Sequence, residues 1–193
     1  VSLAPPDYVE PFSGWRIWTV VTRDGPARLQ SPTSFDDWTP GEAFAAECTR
    51  GHRERLRPWR LHRNAHTPPE DGCTCGVYAM FKPGDLAHFF RTTVMGPRVH
   101  YHVFGRVLLW GDVVEADRGW RASTAYPAEL WLPEMDYHLD RSLGLTKAAA
   151  GLDAYGVPLH VRAEIAPREL LRELNGGELP VVETGRGRAR QAG

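Results

Sequence analysis

The sequence predicts an α+β fold: a mainly antiparallel sheet with one short helix, followed by a small helical C-terminal appendage. Three observations carry this. Between residues 14 and 133, β-branched and aromatic runs are broken by Gly, Pro and Asp, the texture of strands and turns. Within that stretch Val99, Tyr101 and Val103 alternate with His100, His102 and Phe104, the period of a strand. Beyond residue 140 the pattern turns helical in two short segments. The expected division is a flexible lead-in over 1–13, a core domain over 14–133, a helical appendage over 134–178 and a disordered basic tail over 179–193.

Taken in order, Gly14 to Thr22 reads as a strand, Arg23-Asp24-Gly25-Pro26 as a turn, and Ala27 to Ser31 as the returning strand of a hairpin. Glu42 to Glu47 alternates at Phe44, Ala46 and Cys48 and is taken as a strand. Residues 49–72 have no period, and a loop that long needs a function or a tie. Gly76 to Phe81 is a buried strand. Pro83, Gly84 and Asp85 open a short helix that carries Leu86, Phe89 and Phe90 on one face. Val107 to Glu115 is an apolar strand with Gly111 as a bulge, and Asp117-Arg118-Gly119 turns it back into Trp120 to Ala125. Thr146 is the expected N-cap of a helix that Gly156 stops. Val157 to Val161 is extended, and Pro167 to Leu174 is a second helix.

The chain has 193 residues, a net charge of −1, and no apolar run near the roughly 20 residues of a membrane span. The neutral balance gives no global field toward nucleic acid or anionic lipid. The N-terminal residues lack a charged-then-apolar signal pattern, so the expected location is the cytoplasm. Three cysteines are an odd count, and Cys73 and Cys75 are too close in sequence for an ordinary bridge, which argues against a secreted disulfide framework.

The cysteines instead point to a metal. Cys48, His66, Cys73 and Cys75 form a three-thiolate, one-imidazole set suited to a closed tetrahedral zinc site. Cys-x-Cys is tighter than the usual Cys-x2-Cys, and both sulfurs can face one ion if Thr74 turns outward. An iron–sulfur cluster is the second use of such donors. Two buried cysteines beside a solvent-facing histidine is the plain structural alternative, and His62 or His52 can replace His66 as fourth ligand. Such a site would tie the long loop to the start of a core strand.

A second constellation lies on the strands. Gly14-Trp15-Arg16 recurs as Gly119-Trp120-Arg121. If Trp15, Arg16, Trp110, Trp120, Arg121 and Tyr126 share a face, they form an aromatic pocket with a guanidinium fork for a small anionic ligand or a protein partner. The alternative is tryptophans in the core with arginines reaching out beside them. The Arg-rich residues 52–63, with Leu56, Trp59 and Leu61 interleaved, allow nucleic-acid contact or a solvated loop. For catalysis, the order His66-Thr67, Tyr78, Glu129 resembles that of NAD-dependent ADP-ribosyltransferases on a few scattered residues, and there is no Gly-rich phosphate loop or dinucleotide fingerprint.

The combination of Gly14-Trp15-Arg16, Cys73-Thr74-Cys75-Gly76-Val77-Tyr78-Ala79, Gly105-Arg106-Val107, Leu109-Trp110-Gly111, Gly119-Trp120-Arg121-Ala122 and Ala125-Tyr126-Pro127 resembles a group of uncharacterised actinobacterial proteins. The likeness covers roughly residues 14–130, implies a domain boundary near 135, and carries no activity. The expected function is a zinc-stabilised cytoplasmic binding or regulatory module. An enzyme using the same pocket, with ADP-ribosyl transfer as its most specific form, is the rival, and nucleic-acid binding through residues 52–63 the third reading.

Overall fold

The alternating stretch after residue 98 becomes the centre of the molecule. In the computed structural model, which describes residues 10–22, 25–48, 66–70, 72–87, 99–134 and 143–177, it forms one side of a long hairpin. The strands are β1 (Phe12–Val21), β2 (Arg28–Gln30), β3 (Asp37–Trp38), β4 (Phe44–Ala45), β5 (Val77–Met80), β6 (Val99–Ala116), β7 (Gly119–Pro133) and β8 (Leu159–Arg162). Helix α1 spans Leu145–Asp153 and α2 spans Pro167–Leu174, with a 3-10 turn at Pro83–Asp85. Strand is the dominant regular structure among the described residues, in an antiparallel-dominated mixed sheet, and the fold is thus broadly α+β.

The sheet curls until it meets itself. Strand β6 pairs β1 through Val99–Leu109 and β7 through Phe104–Ala116; β7 pairs β5, and β5 returns to β1 at Trp15↔Met80. The register of β6 and β7 shifts between Trp110 and Val113, where Gly111 has φ +78, so the expected bulge is present. Alternation sorts the side chains onto two faces. Trp18, Val20, Tyr101, Val103, Val107 and Leu109 enter the larger core, whereas Ile17 and Phe104 face a smaller one with Met80 and Leu86.

The free edge of β7 is served in succession by two strands: β4 through Phe44↔Ala125 and Ala45↔Thr124, then β5 through Val77↔Ala122 to Met80↔Gly119. Ala46 continues the run by donating its N–H to Ser123 O at 2.8 Å. Residues 44–46 and 77–80 thus lie end to end and in the same direction, as one strand interrupted by an excursion over residues 47–76.

The stretch expected as a helical appendage is woven into this sheet. Strand β8 pairs β7 in parallel, Leu130↔Leu159 to Pro133↔Arg162, giving the sheet its mixed character. Leu143, Ala148, Leu152 and Tyr155 join the larger core, and Leu170 and Leu171 the smaller. Helix α1 approaches Ala27 so closely that a Cβ on Gly151 would collide with its carbonyl oxygen. Tyr155 accepts from the Leu29 N–H at 2.9 Å and donates to Trp38 O. The N-cap of α1 is Gly144 rather than Thr146, which sits inside the first turn, while Gly156 (φ +68) follows the helix as expected. The helix expected after Pro83 begins as the 3-10 turn and is held by Asn175 Oδ1, which accepts from Gly84 N at 2.9 Å; Phe89 and Phe90 lie outside the described residues, as do the lead-in up to residue 9, residues 52–63 and the tail from 178. Among the described residues no helix is long and apolar enough to cross a membrane.

Candidate metal centre and the adjoining cavity

The excursion leaves the interrupted strand at Ala46 and rejoins it at Val77, and the four sequence-predicted donors sit at its two feet. Cys48 follows β4 by three residues, and Cys73 and Cys75 precede β5. Thr74 between them is exposed while Cys73 and Cys75 are each only 9% exposed, so the extended Cys-x-Cys turns both sulfurs inward, as its spacing requires. His66 completes the group, and the four donor atoms all lie within 4.8 Å of one another.

The separations suit a single ion. A tetrahedral zinc with Zn–S of about 2.3 Å places two sulfurs about 3.8 Å apart, and a sulfur and an imidazole nitrogen about 3.6 Å apart. Cys48 Sγ and Cys73 Sγ are 3.8 Å apart, and His66 Nε2 is 3.2 Å from Cys75 Sγ. All three cysteines are free thiols. The set can hold a metal ion and is compatible with zinc. His62 and His52, the alternative fourth ligands, lie outside the described residues.

A second layer holds the donors. Glu70 Oε2, four residues later in sequence, lies 2.7 Å from His66 Nδ1, leaving Nε2 toward the thiols. This is the carboxylate–imidazole pairing that orients metal-binding histidines. Cys73 N donates to Glu70 O at 3.1 Å, and Tyr78 Oη donates to Thr74 O at 2.8 Å. Gly76, with φ +114, makes the bend from this loop into β5. From the sheet, the Arg121 guanidinium donates to the Cys73 carbonyl, to Cys75 O at 3.3 Å and to Glu70 O at 3.5 Å. Burial raises the Cys73 thiol, but the Cys75 N–H and the side chains of Cys75, Cys48 and His66 outweigh it and bring it down to about 7. Cys75 moves the other way, raised by burial and by its thiol neighbours. One thiol of the pair is thus poised to be a thiolate near neutrality, the state a metal ligand needs.

Comparison with protein-family models, with curated proteins and with solved structures finds no match.

The expected aromatic and arginine face is divided among several places. Trp15 and Arg16 line a cavity of about 230 Å³, beside the metal group. Trp110 and Tyr126 are buried in the larger core, where Tyr126 Oη donates to Tyr155 O at 2.9 Å. Trp120 packs against Phe12 and Phe81, with ring centroids 4.7 Å and 4.9 Å away. Arg121, its neighbour on the strand, points to the other face and supports the cysteine loop. The repeated Gly-Trp-Arg therefore marks two strand starts with different duties. The His66, Tyr78, Glu129 series is not gathered either. Tyr78 pairs Arg121, which is eight residues and so about 26 Å along β7 from Glu129 at ~3.3 Å per residue. Glu129 is engaged instead with His160 Nε2 at 2.8 Å.

The cavity has a definite origin. On the edge away from β6, β1 meets β2 only from Thr19 onward and β5 only at Trp15. Residues 16–18 face the gap between, and Arg16 bridges it, donating from Nη1 to Tyr78 O at 2.6 Å and from Nη2 to Ser31 Oγ at 3.0 Å. Its guanidinium carbon lies 5.2 Å from the Trp38 ring centroid and 5.8 Å from that of Trp18. Burial brings Arg16 down to about 10, against the raising influence of Asp36. Thr74, Cys75 and Gly76 form part of the cavity wall, as do Phe44, Ala46 and Glu47 on the other foot of the excursion. Sequence reasoning missed Glu70, although its position four residues after His66 was a usable signal. It also missed Ser31 and Asp36, which reach the site only through the turn after β2.

Proposed function

We propose that the protein is a zinc-stapled binding module, in which Cys48, His66, Cys73 and Cys75 hold one zinc ion and the adjoining cavity takes a small ligand bearing an anionic group. The observation that carries this is the interrupted strand. Its two pieces add to the β7 edge in line, and the cluster at the base of the excursion brings its feet together, Cys48 on one side and Cys73 and Cys75 on the other. Closing a loop of that length costs chain entropy, whereas zinc binding in small zinc domains contributes about 10–16 kcal/mol. Four protein donors fill a tetrahedron and leave no position for a reactive water, which favours a structural role over a catalytic one. Donors this close to one another favour a single ion over an iron–sulfur cluster, whose two irons would spread them into separate pairs. Three free thiols suit a reducing compartment such as the cytoplasm.

The ligand half of the proposal is supported by the shared wall. The segments a zinc ion would draw together, 44–48 and 73–78, also line the cavity that exposes Arg16. Elemental analysis of protein purified with reduced thiols should find one zinc per chain. Its removal by a chelator should speed hydrogen exchange in β4 and β5 while β1 and β6 stay protected. A thermal-shift panel of small carboxylates and phosphates on the zinc-loaded protein should find stabilising members. Absence of zinc sinks the first half, and a panel without a single stabilising member sinks the second.

A further inference from the structure

The charges around the cavity narrow its occupant. Arg16 is the one basic side chain among the described lining residues, and Asp36 and Glu47 bring two carboxylates. The Arg16 guanidinium has no carboxylate in ion-pairing contact among the described residues; its bonds go to Tyr78 O and Ser31 Oγ, and its Nε is sealed from solvent without an acceptor. A buried cation short of acceptors, which feels the Asp36 charge without touching it, favours a carboxylate, the group whose geometry a guanidinium fork matches. Asp36 and Glu47 are exposed, so they stand at the mouth, and a purely anionic ligand would meet their repulsion on entry. A ligand carrying both charges resolves the conflict. Ser31, Thr33, Ser34 and Thr74 add neutral polar groups, and Trp15, Ile17, Met80 and Leu86 supply an apolar part of the wall.

We infer that the cavity binds a free α-amino acid with an apolar, single-ring or branched side chain. The ligand's carboxylate meets Arg16, its ammonium group faces Asp36 and Glu47, and its side chain lies against the Trp15–Leu86 wall. Size agrees: a cavity of about 150 Å³ holds benzene, so about 230 Å³ holds one ring with its amino-acid head. This inference rests on the reading of the cavity as a ligand site.

The experiment is calorimetric titration of the zinc-loaded 193-residue chain with three probes of one shape: L-phenylalanine, 3-phenylpropionate and phenethylamine. Phenylalanine should bind at least about tenfold more tightly than either singly charged probe. Asp36→Asn should weaken phenylalanine about fivefold, the worth of a partly exposed ion pair, and should strengthen 3-phenylpropionate by removing a repelling charge. That variant changes an exposed side chain, so it keeps the test alive if Arg16→Gln, which removes the bridge between Tyr78 and Ser31, fails to fold. Binding of 3-phenylpropionate as tight as phenylalanine, or an Asp36→Asn variant that weakens both alike, overturns the zwitterion and leaves an anion site. A protein stabilised by other carboxylates or by phosphate but by none of the three probes overturns the amino-acid inference alone. One that responds to no small anion and to no probe overturns the ligand site with it.

Discussion

Glu70 holds His66 by its Nδ1 at 2.7 Å, and the opposite nitrogen of the ring lies 3.2 Å from the Cys75 sulfur. The imidazole is therefore aimed before any ion arrives. Glu70→Gln keeps the size of the side chain but weakens the acceptor, and the expected result is a 10- to 100-fold loss of zinc affinity with an unchanged fold. Competition with a chromophoric chelator measures it. Unchanged affinity would mean that the His66–Glu70 pair is a surface contact with no bearing on the metal.

Arg121 supports the same loop from below. Its bonds to the Cys73 and Cys75 carbonyls are charge-assisted, and Arg121→Ala is expected to lower stability by about 1.5–3 kcal/mol. Arg106 is exposed and, among the described residues, its hydrogen bonds go to Ser13 Oγ, so Arg106→Ala should change stability by no more than about 0.5 kcal/mol. Denaturant midpoints of the two variants, measured with zinc bound, make the comparison. Equal effects would remove Arg121 from its supporting role.

Two glycines of the cysteine loop separate backbone geometry from crowding. Gly72 has φ +75 and open space around it, so Gly72→Ala carries only the left-handed backbone cost of about 1–2 kcal/mol. Gly76 has φ +114, and a Cβ there would lie 3.3 Å from both Ala122 O and Pro69 Cβ. Gly76→Ala should therefore be the more damaging, at about 1–3 kcal/mol from strain plus the displacement of its neighbours, and should also reduce zinc affinity. Thermal midpoints of the paired variants decide it.

Much of this was legible in the residues themselves. The strands of β1, β5, β6 and β7, the Gly111 bulge and the four-residue cysteine–histidine cluster all follow from local chemistry: β-branched runs, a glycine inside an apolar strand, and soft donors close in sequence. What was not legible depends on partners distant in sequence. That Phe44–Ala46 and Val77–Met80 continue one another is decided by the edge of β7, which neither segment reveals. The Gly-Trp-Arg repeat looked like one shared face because identical triplets hide their neighbours; Arg16 meets a gap in the sheet and Arg121 meets the cysteine loop. Residues 134–178 read as an appendage because short amphipathic helices look alike whether or not they cover a sheet. Thr146 is expected as a cap because its hydroxyl suits one, yet the cap lies two residues earlier, at Gly144, and the helix starts at Leu145.

Tyr155 shows how firmly that C-terminal stretch is tied in. Its hydroxyl is shared between the Leu29 N–H and the Trp38 carbonyl, and burial raises its pKa well above the ordinary phenol value. Tyr155→Phe leaves both backbone groups without this partner and should cost about 1–3 kcal/mol. A chemical-denaturation curve that stays superimposable on the parent would show residues 143–177 to be only loosely attached.

The zinc-free protein should carry the mark of its thiols. Folded Cys73 ionises at about 7, below its ordinary value of 9.0, so between those limits the unfolded chain holds a proton that the folded one has lost. Stability therefore rises with pH across that window and is lost as pH falls through about 7. Cys75 is shifted upward and works in the opposite sense, turning the curve down above the ordinary thiol value. Denaturant midpoints of reduced, chelator-treated protein across the neutral and alkaline range test the shape. A midpoint that stays flat or falls over the window contradicts it.

The most direct measurement is X-ray absorption at the zinc edge on the purified, reduced protein. A zinc ion held by Cys48, His66, Cys73 and Cys75 gives a first shell of three sulfurs at about 2.3 Å and one imidazole nitrogen at about 2.0–2.1 Å, and Cys73→Ser removes one sulfur from it. A shell of oxygen and nitrogen alone, or protein that carries no zinc and folds identically without it, would contradict the account at its centre.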